Sequence, residues 1–267
     1  MRALRVVIEA PVCSFRMPHF VVGRQLSFDM PPPSTIYGLV ASVLGHLPDP
    51  GALQFAYRFS YRAKADDLEH QHVINLQGGK LPAPHSSHKK VIEGAVQPVK
   101  RAFLFNSTLE LYLNQPGWLP AFSNPAFTLV LGRSQDLATV VPQPDPDGKP
   151  ALAQVVDLRE DTRFYVEDTI LPLPFRKRTA AGTTVLMPQW IGPAPSRQVT
   201  FAQQVIVKGR IHSAGSNAAG ARGRWLDIAG EPFTAWVDPL SPEHGGEQRG
   251  LVFQGFSQSP VAVHPAA

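Results

Sequence analysis

Hydrophobic and polar residues alternate along three stretches of the chain, and this alternation predicts β-strands. The stretches are Ala3–Ala10, Phe55–Ala63 and Pro98–Leu113. The second is the clearest, and one of its faces carries four aromatic residues: Phe55, Tyr57, Phe59 and Tyr61. Aromatic residues on a sheet can stack nucleic-acid bases, but a row at this spacing is more often part of a core. We therefore expect these four side chains in the core.

A helical period replaces the alternation between Met30 and Gly45, in the run M-P-P-P-S-T-I-Y-G-L-V-A-S-V-L-G. Its apolar residues form one stripe: Ile36, Leu39, Val40, Val43 and Leu44. Prolines hold the preceding backbone extended, Ser34 stands at the predicted N-cap, and Gly45 is well placed to end the helix. The N-terminus of such a helix carries free amides and a partial positive charge, which favour an anion. The same features also fit an ordinary, well-capped core helix.

The segments between these elements predict less regular structure. We interpret Pro11–Met30 as a long loop whose Arg16 and Arg24 either hold phosphate or are plain surface charges. Lys64–Pro98 is poor in apolar residues and predicts an excursion from the body, either a β-hairpin or a disordered surface loop. The prolines of Asn114–Pro125 limit any helix there to an irregular segment or a single turn.

The remaining chain predicts a ligand-binding turn followed by a second, β-rich lobe. Phe127–Leu131 predicts a short strand, and the turn Gly132–Gln135 follows it. Its glycine allows close approach of the backbone, while its arginine, serine and glutamine offer donors to phosphates and base edges. Pro142–Pro150 predicts a boundary that divides the chain into domains 1–141 and 142–267. Strand-like pieces follow it: Arg163–Val166, Thr183–Met187 and Arg197–Lys208.

Composition and charge narrow the possible classes of function. Hydrophobic residues fill 43% of the 267 positions, as in an ordinary globular protein, and the net charge of +4 is compatible with nucleic acid. The lone Cys13 excludes an intramolecular disulfide and a cysteine zinc cluster, and it fits a reducing compartment. No apolar run approaches the roughly 18 residues of a membrane span. We therefore expect a cytoplasmic protein that does not contact a membrane.

The sequence offers little for metal or cofactor chemistry. His70 and His72 fall on one side of a strand, but two histidines without a third ligand make a poor zinc site. A G-x-S-x-G motif, a Walker loop and a dinucleotide fingerprint are all absent from the sequence. We expect neither a cofactor nor a metal ion. Metal-independent RNA cleavage remains an alternative, because side chains of suitable types are present: Tyr37, His85, His88, Lys89 and Lys100.

Three motifs resemble a known family. They are P-P-P-S-T-I-Y-G-L at 31–39, K-R-A-F-L-F-N-S-T-L-E-L-Y-L at 100–113 and L-G-R-S-Q-D-L-A at 131–138. Together they closely resemble the Cascade subunit of the fifth CRISPR-associated family, within the RAMP superfamily, and most of all its type I-B branch. The resemblance implies an α+β fold. Its first part would be a ferredoxin-like, RRM-like βαββαβ domain with a β-hairpin thumb inserted at about 64–98, followed by a β-rich C-terminal lobe.

The resemblance also implies a function. The protein would be a non-catalytic RNA-binding subunit of a type I CRISPR Cascade complex, holding the 5′ handle of the crRNA and capping the backbone filament. Its partners would be the crRNA 5′ handle, the Cascade backbone subunit and the Cascade large subunit, with target DNA near the PAM reached through the complex. The alternatives are an endoribonuclease that processes CRISPR repeat RNA and a generic module for single-stranded nucleic acid.

The predicted RNA contacts combine helix amides, turn donors and cations. We expect the start of the helix and the distant glycine-arginine turn to converge and grip the RNA. Phosphate contacts would fix its register, while splayed bases would be read by their edges and by stacking. The candidate residues are Arg16, Arg24, Ser34, Thr35, Tyr37, His88, Lys89, Lys100, Arg101, Gly132, Arg133, Ser134, Gln135, Arg176 and Arg178.

Overall fold

The computed structural model describes residues 1–18, 23–80, 89–145, 147–177, 182–195, 197–213, 225–226 and 234–256. Within these ranges, 73–80, 89–95, 176–177 and 225–226 are described by their backbone alone. Two predicted RNA contacts, His88 and Arg178, therefore lie outside the described residues, as does His85. Side-chain contacts of Lys89 and Arg176 lie outside them as well. Within the described ranges, no helix is both long enough and apolar enough to span a membrane.

Strands dominate the structure, and helices are few and short. Numbered along the chain, the strands are β1 (Arg2–Cys13), β2 (Phe15–Arg16), β3 (Arg24–Gln25), β4 (Ser27–Phe28), β5 (Gln54–Lys80), β6 (Lys89–Leu113), β7 (Thr139–Val140), β8 (Gln143–Pro144), β9 (Pro150–Ala151), β10 (Ala153–Asp157), β11 (Arg159–Asp161), β12 (Phe164–Pro172), β13 (Thr183–Ile191), β14 (Val199–Ser213), β15 (Trp225–Leu226), β16 (Ala235–Val237), β17 (Gln248–Leu251) and β18 (Gln254–Gly255). The helices are α1 (Pro33–Leu44) and α2 (Leu119–Ser123), with 3-10 turns at Pro116–Trp118 and Leu173–Lys177.

The first sheet has the strand order β10-β1-β6-β5-β18, and β7 also pairs with β1 while β3 pairs with β6. The central strand β6 is antiparallel to both of its neighbours. Its residue Leu111 lies opposite Val6 of β1 on one side and opposite Tyr57 of β5 on the other. Strands β1, β5 and β6 contain the three stretches predicted from the alternation. The aromatic face of β5 packs into the core as expected, with Phe55, Tyr57 and Phe59 buried and Tyr61 half-buried.

Helix α1 packs its predicted apolar stripe into the core of this sheet. The N-cap prediction for Ser34 is wrong, because α1 begins at Pro33 and Pro32 is the N-cap, with ψ at 153° and no side-chain hydrogen bond. Proline suits the first helical position, since it lacks the N–H that would be unpaired there and its φ is already helical. Gly45 ends the helix as predicted, with a φ of 76°.

Strands β5 and β6 continue beyond the sheet as one long hairpin over the stretch predicted to leave the body. Their pairing runs from Phe55 opposite Leu113 to Lys80 opposite Lys89. The hairpin interpretation of Lys64–Pro98 therefore agrees with the backbone pairing. The residues that join the two strands lie outside the described part of the chain.

Two predictions for the connecting segments are wrong. Pro11–Met30 is not one long loop, because β1 extends to Cys13 and three short strands, β2 to β4, follow it. Phe127–Leu131 is not a strand, because the amide of Leu131 donates to the carbonyl of Asp136 at 2.9 Å, within the loop itself. This local pairing leaves the segment a single β-bridge, between Val130 and Leu137. Helix α2, by contrast, is the short turn of helix expected between Asn114 and Pro125.

The second sheet has the strand order β11-β16-β17-β12-β14-β13, with β15 paired to β14. Strands β12, β13 and β14 occupy the three stretches predicted to be strand-like in the second half of the chain. Two further strands from beyond position 141, β10 and β18, join the first sheet instead. The division at 141 stays a prediction.

Charged side chains join the two sheets at a sealed contact, which we call the inter-sheet network. Glu110 accepts from Arg5 Nε at 2.8 Å and from Arg249 Nη1 at 2.5 Å, and the Tyr112 hydroxyl donates to Asp238 at 2.6 Å. Arg5, Glu110 and Tyr112 belong to the first sheet, while Asp238 and Arg249 lie on the segment from β16 to β17. This contact holds the second sheet in place, and its strand β13 reaches the N-terminal end of α1.

Candidate nucleic-acid interface

A cavity of about 490 Å³ opens where the N-terminal end of α1 meets the turn Gly132–Gln135. The start of β2, the β5–β6 hairpin and strand β13 complete its walls. The two segments expected to converge therefore do lie side by side. The lining residues are Ser14, Phe15, Arg16, Pro32, Ser34, Thr35, Glu69, Arg101, Gly132, Arg133, Ser134, Gln135, Pro188 and Ile191.

The glycine-arginine turn is pressed against the start of β2, and only glycine fits at its first position. Gly132 has a φ of 113°, and a Cβ there would lie 2.6 Å from the carbonyl oxygen of Ser14. Buried Asp136 ties the same two segments together, because its carboxylate accepts from the amides of Ser14 at 3.1 Å and Arg133 at 3.0 Å. The turn is therefore held rigidly at the edge of the cavity.

Two arginines of the cavity are already engaged by carboxylates. Arg133 binds Asp136 through Nε at 3.0 Å and through Nη2 at 2.8 Å, and its Nη1 donates to Glu69. Arg101 donates from Nε to the other oxygen of Glu69 at 2.5 Å. Burial alone would lower the pKa of the Arg133 guanidinium, but the two neighbouring carboxylates raise it above its ordinary value. Both arginines are therefore fixed cations.

The third arginine of the cavity is available to a ligand. Arg16 is exposed and, among the described residues, has no carboxylate within salt-bridge distance. Ser134 and Gln135 are also exposed, and their side chains supply a hydroxyl and an amide beside it. This side of the cavity thus combines a cation with neutral donors, which is the chemistry that a phosphate and a base edge require.

The N-terminal end of α1 offers fewer amides than predicted. Pro33 has no N–H, and the amides of Thr35 and Ile36 both donate to the Pro32 carbonyl, at 2.9 and 3.3 Å. Ser34 alone among these first-turn residues keeps an amide without a described acceptor. The half-buried hydroxyls of Ser34 and Thr35 add to it. The helix start is therefore a hydroxyl-rich wall more than a nest of amides.

Three predicted contacts lie away from the cavity lining. Tyr37 is buried, and this burial raises the pKa of its phenol. The hydroxyl donates to the Pro48 carbonyl at 2.6 Å. Arg24 is exposed and pairs with Asp66 at 2.7 Å. Lys100 is exposed on β6, directly opposite Arg24 of β3. The RNA-binding roles of all three stay predictions.

Sequence reasoning missed several residues that shape the cavity. Asp136 could have been found from the sequence, because it belongs to the motif L-G-R-S-Q-D-L-A that contains the turn. The sequence gives no indication of Glu69, since its position in the cavity depends on the register of the hairpin. Pro188 and Ile191 reach the cavity from the second sheet, and they give it an apolar wall. Among the described residues, no group of three or more histidines, cysteines, aspartates and glutamates could hold a metal ion.

Comparison with known proteins identifies the family. The sequence model described as CRISPR-associated protein (Cas_Cas5) matches residues 3–162, which is more than half of the chain. The protein therefore belongs to this CRISPR-associated family, and the resemblance of the three motifs is confirmed at that level. The type I-B branch stays a prediction. A search of curated proteins finds no match.

A search of solved structures finds chains to which this one is similar, among them CRISPR proteins. One belongs to a CRISPR RNA-guided surveillance complex, with 15% identity, coverage of 79% of this chain and 89% of that chain, and a TM-score of 0.44. A second is a CRISPR protein from Archaeoglobus fulgidus, with 12% identity, coverage of 96% and 99%, and a TM-score of 0.42. A third belongs to a Type III-B Cmr-beta complex bound to cognate target RNA and AMPPnP, with 12% identity, coverage of 79% and 85%, and a TM-score of 0.42.

Proposed function

We propose that this protein is a non-catalytic RNA-binding subunit of a type I CRISPR Cascade complex, in which it holds the 5′ handle of the crRNA and caps the backbone filament near the PAM-reading end. One observation carries the proposal. In a member of a CRISPR-associated family, the helix start at Ser34 and the turn at Gly132–Gln135 line the same cavity. Its walls combine cations, hydroxyls and an amide, the groups that bind a nucleic-acid backbone and read exposed bases.

Each wall of the cavity has a distinct role in this proposal. Arg16 meets a phosphate as an exposed cation. Gln135 on the turn and Thr35 at the helix start donate to base edges. Ile191 and Pro188 offer an apolar surface to the face of an unstacked base, which loses its stacking partners when the handle is splayed. At about 490 Å³ the cavity falls in the ordinary range for a small-molecule site, so it suits individual nucleotides of a single strand and not a duplex.

The strand order supports a ferredoxin-like arrangement for the first part of the chain. Strands β7, β1, β6 and β5 lie side by side, with α1 between β1 and β5 in sequence. A βαββαβ unit, with its strands in the spatial order fourth, first, third and second, has this arrangement. The part of the β5–β6 hairpin within 64–98 is then the thumb, which we propose folds over the crRNA against the Cascade backbone subunit. The large subunit and target DNA near the PAM would be met through the assembled complex.

The surroundings of Tyr37 favour binding over catalysis. Its hydroxyl is buried and already donates to the Pro48 carbonyl, and burial raises its pKa. A phenol in that state makes a poor general base for a 2′-hydroxyl at neutral pH. Incubating the purified protein with repeat RNA in EDTA tests the alternative directly. Intact RNA is the expected result, whereas specific cuts within the repeat would replace the proposal with an endoribonuclease.

Substitution of Arg16 tests the proposed interface without disturbing the fold, because this exposed side chain has no described ion-pair partner. Arg16→Ala should weaken binding of a 5′-handle RNA oligonucleotide about five- to tenfold at low salt and reduce the slope of log Kd against log salt by about 0.7. Fluorescence anisotropy over a salt series measures both.

A second exposed arginine supplies the control. Arg2→Ala removes the same charge outside the cavity, where Arg2 forms only a loose 3.6 Å pair with Asp157. The affinity for handle RNA should therefore change less than about twofold. Equal effects of the two variants, or equal affinity of the wild type for scrambled RNA, would contradict handle recognition at this cavity.

A further inference from the structure

The carboxylate of Glu69 stands between two guanidinium groups at the wall of the cavity. One oxygen accepts from Arg101 Nε at 2.5 Å, and the other accepts from Arg133 Nη1. Glu69 belongs to β5, Arg101 to β6 and Arg133 to the glycine-arginine turn. A single anion therefore joins the hairpin to the turn, and it lies inside the cavity proposed for RNA.

The Arg133 guanidinium holds its position independently of Glu69, whereas Arg101 has its one described side-chain hydrogen bond with Glu69. Arg133 is clamped on its other edge by Asp136, whose carboxylate is only 2% exposed and is itself fixed by two backbone amides. Arg101 has a buried side chain on the central strand β6. Two guanidinium donors thus face one anion position, with Arg133 preorganised by Asp136, and that geometry suits any group with two acceptor oxygens, including a phosphodiester.

The side chain of Glu69 is accessible and can leave. It is 21% exposed, and its neighbours Leu68 and His70 are exposed as well. A cross-strand pair that only stabilised the hairpin would need Arg101 alone. Contact with Arg133, which comes from a distant part of the chain, makes Glu69 a ligand of the cavity as well as a hairpin residue.

We propose that Arg101 and Arg133 form one subsite for a backbone phosphodiester of the bound RNA, and that the Glu69 carboxylate occupies this subsite until RNA replaces it. The inference rests on the proposed RNA-binding function and names the residues that take one phosphate. Because Glu69 is part of β5, its exchange for phosphate couples the entry of RNA to the position of the β5–β6 hairpin.

The charge balance of the cavity shows what this exchange does to selectivity. Arg16, Arg101 and Arg133 carry three positive charges, while Glu69 and Asp136 carry two negative charges. With Glu69 in place the cavity therefore has little net attraction for a weak anion. A polyanion that also contacts Arg16 gains enough to displace the carboxylate. Glu69 thus disfavours small anions and favours the extended backbone of a nucleic acid.

Replacement of the carboxylate by an amide tests the inference. Glu69→Gln keeps the shape of the side chain, removes its charge and leaves both guanidinium groups free to bind phosphate. We expect a 5′-handle RNA to bind about tenfold more tightly at low salt. The slope of log Kd against log salt should steepen by about 0.7, the value for one additional phosphate contact on a single strand. Fluorescence anisotropy across a salt series gives both quantities.

Asp157→Asn is the matched control. Asp157 also pairs with an arginine, Arg2 at 3.6 Å, and its variant loses the same charge outside both the cavity lining and the proposed thumb. Its substitution should change the affinity less than about twofold. A similar gain in both variants would indicate a general charge effect and overturn the subsite.

The remaining outcomes separate this inference from the proposed function. Weaker or unchanged binding by a folded Glu69→Gln variant would make Glu69 a positioning residue only and overturn the inference, while a loss of binding in Arg16→Ala would still support the RNA site. No effect of Arg16→Ala would instead count against the site itself. If thermal unfolding shows Glu69→Gln to be misfolded, Glu69→Ala gives the same test without a competing amide, and Arg101→Gln should weaken binding.

Discussion

The candidate cavity and the inter-sheet network are built from the same kinds of side chain, and access to water separates their roles. In the network, Arg5, Arg249, Glu110 and Asp238 balance two positive charges against two negative charges in a sealed contact. In the cavity, Glu69 balances its arginines only in part, and water reaches it. A buried pair can only be broken at high cost, whereas an accessible pair can be exchanged for a ligand. The exposure of the carboxylate, 21% for Glu69 against 9% for Glu110 and 0% for Asp238, therefore separates the exchangeable contact from the structural one.

Removal of a network arginine should have the largest effect. Arg249→Ala leaves the buried carboxylates of Glu110 and Asp238 with only Arg5 as a cationic partner, and we expect a loss of about 3–5 kcal/mol in the free energy of unfolding. Urea unfolding followed by circular dichroism measures it. Arg159→Ala is the control, because Arg159 pairs with Asp161 at 3.6 Å on the surface and should cost less than about 1 kcal/mol. Similar losses in the two variants would refute the distinction by burial.

Substitution at the glycine-arginine turn should have an intermediate effect that reaches the cavity. Gly132→Ala combines a strained φ with a Cβ placed 2.6 Å from the Ser14 carbonyl, so the turn must shift. We expect a loss of about 1–3 kcal/mol in stability together with weaker binding of handle RNA. Gly148→Ala isolates the cost of placing a side chain at a positive φ, since Gly148 has a φ of 77° but open space around it. Its RNA affinity should remain that of the wild type, and a shared loss of affinity would contradict the role of the turn.

The comparison also explains what could be predicted from the sequence. The apolar stripe of α1 and the strands β1, β5 and β6 were predictable, because the hydrophobic periodicity of each element can be read from its own residues. The apolar face of each element packs into the core. Ser34 was misassigned as the N-cap because its hydroxyl suits that role in isolation, whereas Pro33 fits the first helical position better. The choice between two adequate caps depends on the surrounding packing.

The cavity was predictable only in the parts that carry a motif. The helix start and the turn containing Gly132 were both singled out, and the structure brings them together. Glu69 was not predictable, because it lies about 30 residues from Arg101 in sequence, and only the hairpin register and the contact with the turn unite them. The inter-sheet network was missed for the same reason, since Glu110 and Arg249 are unremarkable in their local sequence.

Lowering the pH should have the smallest of the expected effects, and it tests the same comparison between buried and accessible ion pairs. Burial alone would raise the pKa of Glu110, but Arg249 and Arg5 together lower it below the ordinary value of 4.5. The folded protein then binds its proton less readily than the unfolded chain. The stabilisation from Glu110 is therefore fully present above pH 4.5 and is lost as the pH falls from there towards the lower folded-state pKa. One such group contributes a slope of at most about 1.4 kcal/mol per pH unit.

The fall in the unfolding free energy at low pH is the acid limb of the stability curve. Glu110→Gln should make this limb less steep, in addition to lowering stability at neutral pH. Asp29→Asn provides the accessible counterpart. Burial would raise the pKa of Asp29, but its bonds to Lys208 and Lys64 lower it, and water screens this half-buried group. Its substitution should flatten the limb less than that of Glu110. Urea titrations from pH 3 to pH 7 would measure both limbs, at about 0.5-unit steps. A larger change for Asp29 would show that burial does not rank the charged contacts of this fold.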